Sequence, residues 1–344
     1  MPATPDPPPM IQLSPALIFL LTSAVVVYAA NQLAKYSDVI AVRTRFGGLF
    51  VGTILLAGAT SLPELIASIS AFQQGVPDLA AGNFLGSNMV NIVLLALVDL
   101  LNYQVPLLRS VALTHTLTAI MGILLMTLMA IFIMGNLPLA IGWVGVDSLI
   151  IIALYFGGVW LVQKEGRLIM AAGAEPEILI APGFPSLRRG LIGFTASAAT
   201  LVLVVPLLVK ASTDIATQTG VGATFVGTSL LSLVTSLPEL LAAWAAVRLG
   251  SPELAVGNLF GSSIFNMLAM GISDFFYTPG RLLGAIDPSF VMVALLGILL
   301  TCLAVIGNLA RIERKLFIVE LDALIIIVCY LAGMYLLYLR GIGG

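Results

Sequence analysis

Charge is scarce in this chain. Only 9% of its 344 residues are Asp, Glu, Lys or Arg, against 60% hydrophobic ones, which is too little to cover a water-soluble protein of this size. A soluble globular domain is excluded and lipid is the expected solvent. Net charge is −2, with no basic run and no basic residues interleaved with aromatics, so nothing forms a nucleic-acid surface. Cysteine occurs twice, as Cys302 and Cys329 inside apolar stretches, which supports neither a disulfide framework nor a thiolate metal cluster. Histidine occurs once, as His115, so an imidazole-built zinc or copper centre is excluded as well; packing or an interhelical hydrogen bond is its expected use. Residues 1–13 are Pro-rich and lack Lys and Arg. They lack the charged region of a signal peptide and read as a disordered tail.

What is abundant is long apolar runs. A span needs about 20 apolar residues, and ten such stretches follow one another near 14–34, 46–72, 78–101, 110–134, 138–162, 190–210, 220–247, 253–277, 287–308 and 317–339. Cytoplasmic loops carry the excess of Lys and Arg. Threading alternate loops to opposite sides puts twelve of the fifteen on one side, leaving Lys210, Arg281 and Arg340 on the other. Both termini are therefore expected outside, in a multi-pass protein of a prokaryotic plasma membrane. The most polar connection, 166–188, reads as a cytoplasmic linker between a first five-helix unit at 14–165 and a second at 189–340.

The two units are related. Shifted by 175 residues, 47–91 aligns with 222–266 without a gap and with 24 of 45 positions identical, including FVGT (50–53, 225–228) and TSLPEL (60–65, 235–240). Asp99 falls on Asp274 and Asp147 on Asp322. Five spans per unit is an odd number, so the second copy enters the membrane from the opposite side. The expected fold is an all-α membrane protein of ten transmembrane helices in two inverted-topology repeats, an arrangement that suits alternating access to a midplane site.

Each repeat carries an acid in mid-span, Glu64 and Glu239. An ionisable group at that depth is costly and normally functional. Thr60, Ser61 and Glu64 share a helical face, as do Thr235, Ser236 and Glu239. Pro63 and Pro238 loosen the preceding turn and free carbonyl oxygens. In the next span Asn83, Ser87 and Asn91 form a stripe at four-residue intervals, repeated by Asn258, Ser262 and Asn266. Asn83 and Asn258 serve either as ligands or as partners of backbone groups. Asp99, Asp274, Asp147 and Asp322 are either ion relays or helix-end residues. The donors are all hard oxygens, which suits Ca2+ with its about six to eight oxygen ligands. Two carboxylates balance one divalent ion, or two monovalent ions or protons, so one site can exchange them.

The paired SLPEL and GNxxGS segments resemble the two alpha repeats of the sodium/calcium exchanger branch of the calcium/cation antiporter superfamily, over nearly the whole chain. The resemblance implies ten helices in two inverted halves, Ca2+ and Na+ as transported substrates, and no cofactor or enzymatic activity. It implies that Glu64 and Glu239 bind Ca2+ and share Na+ sites, that Thr60, Ser61, Ser87, Asn91, Thr235, Ser236 and Ser262 add oxygens, and that the first and sixth helices slide across the bundle. Asn266 joins this cage but departs from the family pattern, where an Asp is common. It supplies no third negative charge, so coupling to H+ or K+, or wider cation choice, stays open. Ser263, in place of a more usual Asn, is a second departure. A channel would favour symmetry about the membrane normal, and no catalytic dyad is present for an intramembrane protease.

Overall fold

The computed structural model describes residues 14–44, 58–101, 113–170, 184–248, 250–310, 315–316 and 319–339; the 1–13 tail lies outside them. The first half contains α1 (Pro15–Thr44), α2 (Leu62–Gln73), α3 (Pro77–Leu101), α4 (Leu113–Gly135), a hairpin of β1 (Ala140–Ile141) and β2 (Val144–Gly145), and α5 (Val146–Met170). Then come α6 (Leu187–Thr219), α7 (Ala223–Val226), a π-helical turn (Gly227–Leu231), α8 (Ser232–Thr235), α9 (Leu237–Arg248) and α10 (Pro252–Ser273). The chain ends with α11 (Leu282–Ala285), α12 (Phe290–Ala310), a second hairpin of β3 (Lys315–Leu316) and β4 (Val319–Glu320), and α13 (Leu321–Leu339).

Eight of these helical stretches are long and apolar enough to cross a bilayer, with Val146–Val162 a shorter apolar helix. Of the second expected span, only residues from 58 onward are described. The 175-residue offset recurs in the elements: α2 and α9 share both boundaries, α3 and α10 both start at a proline, and the hairpins at 140–145 and 315–320 coincide. α5 runs to Met170, past the expected limit of 165. Lys, Glu and Arg are sound helix formers, so the polar residues that follow the apolar run do not end the helix.

Apolar side chains form two cores. One lies within the bundle of α3, α4, α5, α10, α12 and α13, around Phe84, Met126, Met267 and Phe290. The other joins α1 to α6, to the length of α2, to the first turn of α3 and to α7–α8, around Val26, Leu33, Leu201 and Leu208. Glycines let α1 and α6 lie close: Gly193 faces the ring of Tyr36, and Gly190 faces Val39. Outward positions such as Leu20, Met134 and Leu203 are apolar and exposed, the pattern of a surface solvated by lipid tails.

Polar contacts gather at the helix ends. Asp147 accepts from Arg281 (3.1 Å), whose guanidinium also reaches Asn136. Asp274 accepts from the backbone of Gly145 and Leu282 (both 2.7 Å), and Asp78 accepts from that of Asp287 (3.2 Å). Elsewhere Arg43 holds the carbonyls of Phe184 and Pro185 at the entry to α6. Asp147 and Asp274 thus tie connections together at the ends of their helices.

Candidate functional site

Both acidic segments break in the same way. Helical turns end at Ser61 (φ −89°, ψ 6°) and Ser236 (φ −88°, ψ −1°), and new helices begin with Pro63 and Pro238 in their first turns. Proline donates no N–H and crowds the turn before it, so each helix is interrupted beside its acid. Glu64 and Glu239 consequently sit in the first turns of α2 and α9, where unpaired N–H groups and the positive end of the helix dipole favour a carboxylate.

Each carboxylate is reached from the opposite half. Ser61 donates to Glu239 Oε1 (3.3 Å), and Ser236 donates to Glu64 Oε1 (3.5 Å). These bonds exchange under the 175-residue shift and bring the two acid segments to one place. Ser262 adds a hydroxyl to Glu239 Oε1 (3.1 Å) and contacts Ser61 (3.1 Å) and Thr60 (3.4 Å). Thr235 donates to Asn83 Oδ1 (3.0 Å). Both glutamates are 1% exposed, and the second oxygen of each, Oε2, has no hydrogen-bond partner among the described residues. Two buried carboxylates repel each other and call for compensating positive charge.

α3 and α10 complete the cage. Asn83 and Asn258 donate to the backbone carbonyls of Glu64 (3.2 Å) and Glu239 (3.5 Å), so they serve the backbone of the acid turns. Asn266 donates to Asn88 (3.1 Å), a residue that helical spacing from Glu64 and Glu239 did not single out; its adjacency to Ser87 was the available signal. Ser87 and Asn91 are buried, yet Ser87 Oγ and both amide atoms of Asn91 meet no hydrogen-bond partner among the described residues. The ring of His115 faces Gly257 in the first turns of α10. Among the described residues no three of His, Cys, Asp and Glu come together. The donor set is two carboxylates surrounded by hydroxyls and amides, the hard-oxygen chemistry that suits alkali and alkaline-earth cations.

Known proteins resemble the chain over most of its length. The chain is 28% identical over 334 residues to a putative antiporter, CaxA, of Alkalimonas amylolytica, covering 94% of this chain and 98% of that one. It is 26% identical over 299 residues to the sodium/calcium exchanger MaX1 of Methanosarcina acetivorans, covering 76% and 83%. Among solved structures, the H+/Ca2+ exchanger CAX superposes with a TM-score of 0.65 at 16% identity, covering 96% of this chain and 90% of that one. The sodium-calcium exchanger NCX_Mj superposes with 0.58 at 20% identity, covering 93% and 97%. Those two likenesses establish the fold. The family model described as "Sodium/calcium exchanger protein" matches residues 14–163 and 189–339, and the chain therefore belongs to the sodium/calcium exchanger family, whose members are transporters and not enzymes.

Proposed function

We propose that the protein exchanges Ca2+ for Na+ by alternating access, with both ions competing for the cage around Glu64 and Glu239. The observation that carries this reading is the reciprocal pair of bonds from Ser61 to Glu239 and from Ser236 to Glu64. It brings one carboxylate from each repeat to a common buried point. Ca2+ neutralises both charges at once, and two Na+ do the same. Thr60, Ser61, Thr235, Ser236, Ser262, Ser87, Asn91 and Asn266 supply neutral oxygens.

The reading includes ten spanning helices in two inverted repeats, 14–165 and 189–340, with both termini outside a prokaryotic plasma membrane. Contacts among connections that the topology puts on one side support it: Asp78 with Asp287, Asp147 with Arg281, and Trp143 with the Phe275 carbonyl. α1 and α6 form the moving pair. Most of their apolar contacts are with each other, in a core that also takes in α2, the first turn of α3 and α7–α8, so sliding exchanges contacts along that one face while the larger core of the bundle stays packed.

The test is Ca2+ uptake into proteoliposomes loaded with Na+, K+ or choline, with and without a pH gradient. An outward Na+ gradient is expected to drive uptake; uptake that ignores Na+ and follows pH rejects Na+ as counter-ion. H+ is the second reading, favoured because Glu64 and Glu239 are the cage's only ionisable groups among the described residues. Asn266→Asp checks this further. It adds a third acid, towards which Asn88 can turn its NH2 group, and is expected to change the ion ratio and steepen the pH dependence of uptake without reducing the yield of folded protein.

A further inference from the structure

Of the polar positions around the cage, one differs in residue type between the two halves. The 175-residue shift relates Asn91 to Asn266 and Asn88 to Ser263. Asn266 Nδ2 donates across the halves to Asn88 Oδ1 at 3.1 Å. The corresponding bond from Asn91 is missing. Ser263 sends its hydroxyl back to the Leu259 carbonyl of its own helix (3.0 Å), and it carries no amide oxygen to stand where Asn88 Oδ1 stands in the other half. Asn91 is 1% exposed, yet neither of its amide atoms has a partner among the described residues. In Asn266 the unpartnered atom is Oδ1 alone.

An amide binds a cation only through its oxygen, since its NH2 carries positive hydrogens. An amide whose NH2 is already held offers that oxygen without a reorientation cost, whereas a free amide must first be ordered. We infer that Asn88 is a positioning residue that commits the NH2 group of Asn266 and reserves its carbonyl oxygen for the transported cation, while Ser263 leaves Asn91 free to turn. The cage then has one preset amide oxygen and one adjustable one, and residues 88 and 263 set its cation preference. This rests on the reading of the cage as a Ca2+ site.

The experiment is calorimetric titration of the purified protein with Ca2+, in choline chloride and again in NaCl, alongside thermal unfolding. Asn88→Leu keeps the volume and removes the acceptor; it is expected to weaken Ca2+ binding about tenfold, the worth of one oriented hydrogen bond. Ser263→Asn gives Asn91 a partner and is expected to tighten Ca2+ binding by a similar factor, a result that does not depend on the Leu variant folding. Exchanging the two positions, Asn88→Ser with Ser263→Asn, moves the held amide to the other half. Affinity is expected to recover to within about twofold of the unaltered protein, because coupled sites compensate. A merely structural role predicts lowered thermal stability in Asn88→Leu with unchanged affinity, and no rescue by the exchange; either result overturns the inference. Absence of Ca2+ binding by the unaltered protein overturns the reading of the cage itself.

Discussion

Glu64→Gln and Glu239→Gln should each stop Ca2+ transport while leaving folded protein in the membrane. Gln keeps nearly the same volume and can still accept the serine hydroxyl that each acid receives from the other half, so the meeting of the repeats survives. What is lost is one of two charges. Two unit charges about 4 Å apart interact by about 4 kcal/mol at an effective dielectric constant of about 20, which corresponds to roughly a thousandfold in affinity for each unit of ion charge. A divalent ion in a cage with one remaining carboxylate is both weakly attracted and unneutralised. The measurements are radioactive Ca2+ uptake into proteoliposomes and the elution profile of the purified variants. Because burying an acid is itself costly, both variants should also be at least as heat-stable as the parent without Ca2+. Retained uptake in both would remove the two glutamates from the site.

Those acids were legible because depth and repetition act together: a carboxylate in an apolar span is expensive, and two in matched TSLPEL settings are not accidental. The loosened turns before Pro63 and Pro238 were legible too, since proline acts through local sterics whatever surrounds it; that the helices are interrupted at Ser61 and Ser236 was not, because each segment read as one continuous helical face. The pairing of the amides was not. A four-residue interval places Asn83, Ser87 and Asn91 on one stripe of a helix, but it says nothing of how that helix is rotated against its neighbours. That rotation sends Asn83 to a backbone carbonyl and leaves Asn91 without a partner among the described residues. Asn88 lies off the stripe and still reaches Asn266, because α3 and α10 pack side by side at the centre of the molecule. The π-helical turn at Gly227–Leu231 was likewise hidden. Its residues read as part of a continuous span from 220 to 247, and the turn is a matter of backbone packing against α3.

That packing carries the second large effect. Gly86→Ala should destabilise the protein and impair transport, although alanine normally favours a helix over glycine by about 0.5–1 kcal/mol. A Cβ at Gly86 would stand 2.5 Å from the carbonyl oxygen of Thr228, 2.8 Å from its Cα and 2.9 Å from Ser232 Oγ. The first two are backbone atoms of the π-helical turn and cannot swing aside, so α3 must move away from the segment that leads to Thr235 and Glu239. Overpacking of this kind costs about 1–3 kcal/mol, enough to outweigh the gain in propensity. Gly82→Ala, whose Cβ would meet the Thr228 nitrogen at 2.9 Å, should behave similarly but less severely. At Gly122 the nearest atom is a methyl of Ile264 at 3.5 Å, an ordinary contact, so Gly122→Ala should be neutral or slightly stabilising. Thermal unfolding of the three variants, with Ca2+ uptake measured on each, tests the order. If Gly86→Ala were as stable and active as Gly122→Ala, the close approach of α3 to the π-helical turn would not be what positions the second acid segment.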